Sequence, residues 1–303
     1  AVLPAEIILE DDIIGYLSSS GDTKTVNGKL KLTGNGNSGS HTLIAGMRES
    51  YDLASFAWDA SGTDGAYVSA TASAKFYRAQ FDASILDEDG IPKPITAAVD
   101  IATCQATRGT YFWDSGTTSL YVNMYDGRLP DPLDGWQYGE SPYDFEIYQS
   151  DVTSNGVFLM ENINFLSNLG ASTNPTFKYR PTVAPAAANA SILGLRNCKA
   201  YGSSGNGFSI YDANIHVMDN CIAKYCRIDG FNYHSYNNDA TNGEFITVYE
   251  HNCKSRYTGY DGFADQSARS SSSNGSTAHD SLHIIRTNGD FSDCYGSVVA
   301  DAN

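Results

Sequence analysis

Apolar residues along this chain recur at period two and almost nowhere at the helical period. Lys75-Phe76-Tyr77-Arg78-Ala79-Gln80-Phe81 and Ser119-Leu120-Tyr121-Val122-Asn123-Met124 alternate as half-buried strands do. Two alternating runs, 23–26 and 29–32, flank Asn27-Gly28 and predict a hairpin with a type I′ turn. Residues 109–114, 115–118 and 119–124 predict a second hairpin. No segment of three helical turns carries both a start and a stop signal. Pro130 and Pro132 close this part of the chain, giving an expected N-terminal antiparallel β region over 1–135.

Beyond residue 143 the short strands become periodic. Asn197-Cys198-Lys199-Ala200 recurs as Asn220-Cys221-Ile222-Ala223 and Asn252-Cys253-Lys254-Ser255, with a weaker copy at Asp293-Cys294-Tyr295-Gly296. Nine residues after the first three cysteines comes Gly-Phe: Gly207-Phe208, Gly230-Phe231 and Gly262-Phe263. The cysteines are 23, 32 and 41 residues apart, so a base period of 23 takes insertions of 9 and 18. A period in the twenties with two or three strands per unit is that of a β-solenoid, whose coils bury their inner faces by stacking about 4.8 Å apart.

On these Asn-Cys…Gly-Phe coils, residues 143–303 resemble the right-handed parallel β-helix proteins of the pectate-lyase-like superfamily, and bacteriophage tailspikes and related polysaccharide-degrading proteins above all. The resemblance implies an all-β fold, a right-handed parallel β-helix following the N-terminal antiparallel region. It implies a lyase or glycoside hydrolase that binds and cleaves an extracellular polysaccharide, or a non-catalytic glycan-binding adhesin or virion structural protein on the same scaffold. It further implies a homotrimer at the virion surface or outside the cell. The terminal Val298-Val299-Ala300-Asp301-Ala302-Asn303 still reads as coil, so the expectation is a longer natural chain or an end covered by a neighbouring subunit.

The period assigns Cys198, Cys221, Cys253 and Cys294 to one inward column, with Asn197, Asn220, Asn252 and Asp293 as an amide ladder at the turn before it. Phe208, Phe231 and Phe263 become an inner aromatic stack. Alternation turns Lys199, Ile222, Lys254 and Tyr295 outward, followed by Tyr201, Lys224, Arg256 and Ser297. That face is either an ordinary solvated surface or a track for an anionic glycan, whose carboxylates meet Lys and Arg while Tyr stacks on sugar rings.

On the next strand Tyr211, His234 and Gln266 share an outward column, and Asp265 falls at an inward position, where it needs either a bulge or a partner. Asn206, Asp229 and Asp261 precede Gly-Phe. Asp229 and Asp261 are then either an acid pair about 5 Å apart, as in retaining glycosidases, or ordinary turn residues. The two insertions, placed at 235–243 and 267–279, would leave one corner and wall a groove. Its candidate catalytic residues are Asp261, Asp265, His234, His279 and Asp229. Its candidate substrate-binding residues are Lys254, Arg256, Tyr257, Lys224, Tyr211, Gln266 and Asp280. Histidine titrates near neutrality, so His234 or His279 beside Asp261 or Asp265 is a candidate pair; in a lyase a histidine, or one of Lys254, Arg256 and Tyr257, would remove the proton next to a uronate carboxylate.

Composition sharpens the choice of partner. With 35 acidic and 19 basic side chains the net charge is -16, which repels nucleic acid. The excess is uneven: residues 1–190 hold 23 acids and 11 bases, and 191–303 hold 12 and 8, so an anionic glycan remains admissible at the repeat. No apolar run reaches the length of a membrane span. The acidic first residues do not read as an intact signal peptide. No Walker loop, dinucleotide-binding glycine pattern, G-x-S-x-G or HExxH occurs, so no cofactor is expected; Ca²⁺ between aspartates has no loop signature behind it.

Overall fold

The chain runs through three parallel sheets of seven strands in rotation. The computed structural model describes residues 5–9, 13–16, 23–26, 29–34, 42–47, 58–62, 65–69, 80–129, 145–149, 156–166, 175–181, 191–203, 205–235, 239–259 and 273–302. One circuit shows the scheme. Ile192–Arg196 lies in the first sheet, Lys199–Tyr201 in the second and Phe208–Tyr211 in the third, and Ile215–Asp219 returns to the first. Each strand pairs in parallel with its counterparts one circuit before and after: Ile192 faces Ile215, Lys199 faces Ile222 and Phe208 faces Phe231. Alternation then turns Phe158, Met160, Leu193, Leu195 and Met218 into a common core, while their neighbours on the same strands face out.

From Ile192 onward the junction from the first sheet to the second is two residues long each time, at 197–198, 220–221, 252–253 and 288–289. Asn197, Asn220, Asn252 and Asn288 stand there with φ of 50, 53, 52 and 58°, a left-handed turn that Asn tolerates better than most residues. Their amides are also stacked. Asn197 donates to Asn162 (3.1 Å), Asn220 to Asn197 (2.6 Å) and Asn288 to Asn252 (2.6 Å). Behind them Cys198, Cys221 and Cys253 are fully buried, each thiol donating to the carbonyl two residues back. Burial pushes the Cys221 thiol well above its ordinary pKa. All the cysteines are unbridged.

The register corrects the last copies of the repeat. Lys254 faces Asp290, so Gly289 stands in the cysteine column and Asn288, not Asp293, continues the ladder. Cys294 lies one corner further on. It shares a column with Cys226 and Thr258, after Tyr225, Tyr257 and Asp293, whose φ values are all left-handed. The third Gly-Phe is displaced as well. Phe231 faces Ser276, so the column reads Gly207, Gly230, Gly275, and Phe263 lies outside the described residues. These glycines are forced by close approach: a Cβ on Gly230 would meet the Ser255 Oγ at 1.8 Å and the Gly275 carbonyl at 2.7 Å. The inner aromatic stack is Phe165, Phe177, Phe208 and Phe231, with centroids 5.1–6.0 Å apart, closed by Phe291 edge-on at 6.4 Å.

The N-terminal expectation fails over 5–47. Ala5–Leu9 and Lys29–Gly34 belong to the first sheet, Ile13–Tyr16 and Thr42–Met47 to the second, Thr23–Val26 to the third. Thr23–Val26 and Lys29–Gly34 therefore form no hairpin: Asn27-Gly28 joins two sheets, and all these strands pair in parallel. Two alternating runs around Asn-Gly look alike whether the chain doubles back or turns a corner. Residues 1–46, 142–260 and 269–303 form one compact unit; 47–141 and 261–268 form another. Within the second unit a six-stranded sheet runs Asp59–Ser61, Ala66–Ser69, Ser119–Asn123, Thr110–Asp114, Pro92–Ala97, Gln80–Leu86. The hairpin of Thr110–Asp114 with Ser119–Asn123 forms as the sequence predicts. The helix Ile101–Ala106 is capped by Asp100, whose carboxylate accepts the Thr103 N–H at 2.7 Å. Among the described residues no helix is long and apolar enough to cross a membrane.

Candidate functional site

On the outward side of the third sheet, four side chains from successive circuits lie face to face. The Arg180 guanidinium is 5.9 Å from the Tyr211 ring centre, Tyr211 stacks on His234 at 5.2 Å, and His234 stacks on His279 at 4.1 Å with rings 2° from parallel. The cause is the register. Phe177 faces Phe208, Phe208 faces Phe231 and Phe231 faces Ser276, so the residue three places on lands in one column each time. Strand spacing of about 4.8 Å then sets the rings at stacking distance.

Each imidazole is held by a further polar group. Asp280, with φ of 65°, turns its carboxylate back to His234 Nδ1 at 3.4 Å and to the Ser235 N–H at 3.1 Å. His279 Nε2 lies 3.3 Å from the Asn232 amide nitrogen, which also donates to Asp229 Oδ2 at 2.7 Å. Asp229 sits in a column of its own. Asn206 Oδ1 accepts the Asp229 N–H (3.0 Å), Asp229 Oδ1 the Asn274 N–H (2.8 Å) and Asn274 Oδ1 the Ser297 N–H (2.9 Å). Burial raises the Asp229 pKa against the opposing pull of these donors, the Thr277 hydroxyl and nearby His279. Asp229 is 4% and Asn232 5% exposed, whereas His234, His279 and Tyr211 are half-buried.

Of the residues anticipated from sequence, His234, His279, Asp280, Tyr211 and Asp229 come together here. The register puts Asn274 next to Asp229, in the column place where Asp261 was expected. The inward position after Ile210 and Tyr233 belongs to Ala278, so no buried acid arises there. Asp261, Asp265 and Gln266 lie outside the described residues. Nor do the insertions share a corner. Residues 235–246 leave the end of a third-sheet strand, while 257–275 enter the start of the next.

Lys224, Lys254, Arg256 and Tyr257 lie on or just after the second sheet and not in this third-sheet column. Tyr201 and Lys224 are buried rather than outward-facing on a solvated strand, at 2% and 0% exposure. Arg256 pairs with Asp290, and the Lys224 ammonium lies 5.8 Å from the Tyr257 ring, itself stacked on Tyr225. Asp290 and Ser292 continue the two columns where Tyr295 and Ser297 were expected. Two site residues escaped the sequence reading, Arg180 and Asn232. Asn232 was legible as the residue two before His234 on the same face; Arg180 lies outside the cysteine repeat that defined the columns.

The first sheet carries a hollow of about 270 Å³, lined by Leu159, Gly194 and Val217 among others. Its edge is an ion ladder of Lys31, Glu161, Arg196 and Asp219, with contacts of 3.1–3.6 Å. Among the described residues no three His, Cys, Asp or Glu side chains are grouped to hold a metal ion. The chain matches no family model, no curated protein and no solved structure.

Proposed function

We propose that the three-sheet body is a right-handed parallel β-helix whose third-sheet face binds an acidic extracellular polysaccharide and cleaves it by proton transfer at the His234–His279 pair, as in a tailspike-like lyase or glycoside hydrolase. The observation that carries this reading is the outward column Arg180–Tyr211–His234–His279. An aromatic face takes the apolar side of a sugar ring, and a guanidinium pairs with a uronate carboxylate. Imidazole exchanges protons at neutral pH, and Asp280 orients one of the two rings.

The test is incubation with capsular, pectic and alginate polysaccharides, following ultraviolet absorbance for the unsaturated product of a lyase and reducing ends for hydrolysis. Cleavage lost in His234→Ala and His279→Ala supports the reading; full activity in both variants overturns it. A second reading, a glycan-binding protein without catalysis, draws on one observation. The Asp229 carboxyl is buried and the Asp280 side chain only 13% exposed, so neither acid stands open to a substrate. Binding of a glycan with no product in either assay selects it.

A further inference from the structure

The column Asn206–Asp229–Asn274 contains one residue that its structural task does not explain. At all three positions a side-chain Oδ1 accepts the backbone N–H of the next circuit, and on both sides of Asp229 an amide does this. An asparagine at 229 would serve equally, without the cost of placing a carboxylate at 4% exposure. What the acid adds is Oδ2, a second acceptor where asparagine has a donor, and Oδ2 receives the Asn232 amide at 2.7 Å.

That contact fixes which way Asn232 points. Its nitrogen turns toward Asp229 and so also toward His279 Nε2, 3.3 Å away, while its Oδ1 is buried without a partner. An amide nitrogen only donates, so the His279 Nε2 facing it is an acceptor and the ring proton sits on Nδ1. The orphaned oxygen marks the cost of this orientation. A flipped amide would offer that oxygen to both neighbours, but the Asp229 carboxylate has nothing to donate to it.

We infer that Asp229 is a positioning residue which, through Asn232, locks His279 in the Nδ1–H tautomer. The inference rests on the proposed function only in taking His279 as an acting group of the site. His279 then presents an N–H donor to a bound oxygen at Nδ1 and keeps its Nε2 lone pair tied down. The donor role in the stacked pair falls to His279, and the base role to His234.

The experiment is ¹⁵N-detected NMR of the imidazole nitrogens of the whole chain above the histidine titration, with signals assigned by loss in His279→Gln. Wild type is expected to show His279 protonated at Nδ1. In Asp229→Asn the new amide donates to Asn232, turns its oxygen toward His279 and moves the proton to Nε2, while the denaturation midpoint holds because Asn274 keeps its acceptor. Asn232→Ala, which leaves the 229 column intact, is expected to lose the Nδ1 preference. A wild-type proton on Nε2, or an Nδ1–H tautomer that survives both substitutions, overturns the inference. The readout is independent of activity: an intact tautomer switch in a protein that cleaves nothing rejects the proposed function and leaves this inference standing.

Discussion

Arg286→Leu is expected to be among the most damaging single substitutions in the first unit, and to become milder in acid. Inward positions of the first sheet carry Met160, Leu195, Met218, Glu250 and Arg286 in one column. The Glu250 side chain is 1% exposed and accepts from Tyr233 (2.6 Å), Ser276 (2.9 Å) and Arg286 Nε (3.0 Å). Leucine in place of Arg286 leaves this carboxylate without its counter-charge, which costs about 3–5 kcal/mol at neutral pH for a buried pair broken from one side. Glu250→Met removes the buried charge itself. Arg286 keeps Asp301 through contacts of 2.9 and 3.3 Å, and the main loss is the unpartnered Tyr233 hydroxyl, about 1–3 kcal/mol. Arg286→Leu should therefore exceed Glu250→Met. Burial already raises the Glu250 pKa above 4.5 against the pull of Arg286, and removing Arg286 raises it further. Between 4.5 and neutrality the folded Arg286→Leu variant then binds more protons than its unfolded state, so its stability rises as pH falls. Urea titrations of wild type and both variants at neutral pH and near pH 5 measure this. Equal losses for the two variants, or a deficit in Arg286→Leu that does not narrow in acid, would refute the reasoning.

Phe208→Ala, between Phe177 at 6.0 Å and Phe231 at 5.2 Å, is expected to cost about 3–5 kcal/mol, because strands paired on both sides keep the cavity from closing; a midpoint shift worth under about 2 kcal/mol would contradict the stack. Burial lowers the His216 pKa from 6.5 to about 3, so the unfolded state takes the proton first. The stability this neutral ring allows is full above pH 6.5 and falls by about 1.4 kcal/mol per unit as pH drops toward 3. His216→Leu, matching Leu193 in the same column, should flatten that acid limb in pH-dependent melting. Tyr211→Ala, at a half-buried outward position, should weaken binding to whichever polysaccharide the protein retains in affinity electrophoresis, with little change in midpoint.

The sequence exposed the corner between the first two sheets because, from Ile192 onward, every copy of that corner is two residues long. A two-residue turn at left-handed φ selects Asn, and the small buried space after it takes Cys, so Asn-Cys repeats visibly at 197, 220 and 252. The other junctions vary freely, and there spacing misled. From Cys253 the next equivalent position is Gly289, not Cys294, because the Phe291 ring takes the inner space there and a Cβ at 289 would meet it at 2.5 Å. Gly262-Phe263 reproduced the offset of nine but not the register, since 257–275 is a long connection and the strand resumes at Ser276. That slip moved the expected acids to Asp261 and Asp265 and hid the His279 partnership with His234. The first strands were missed for another reason. Residues 5–47 carry no Asn-Cys at their corners, and parallel pairing to strands more than a hundred residues later leaves no local mark.

The uneven freedom of the junctions also makes the fold a natural host for grafting. Between second and third sheets the chain takes six residues after Tyr201 and after Lys224, nineteen after Arg256 and ninety-seven after Met47. In the last case Thr23–Val26 still pairs with Phe145–Gln149, and Thr42–Met47 with Ile163–Leu166, as though nothing intervened. A passenger spliced between Tyr201 and Phe208 would enter where the chain already tolerates an entire unit, whereas one residue added at an Asn-Cys corner would shift every later strand out of phase with its neighbours. Recombination in such a chain can exchange inserted modules at one type of junction and leave the scaffold's reading frame of hydrogen bonds undisturbed.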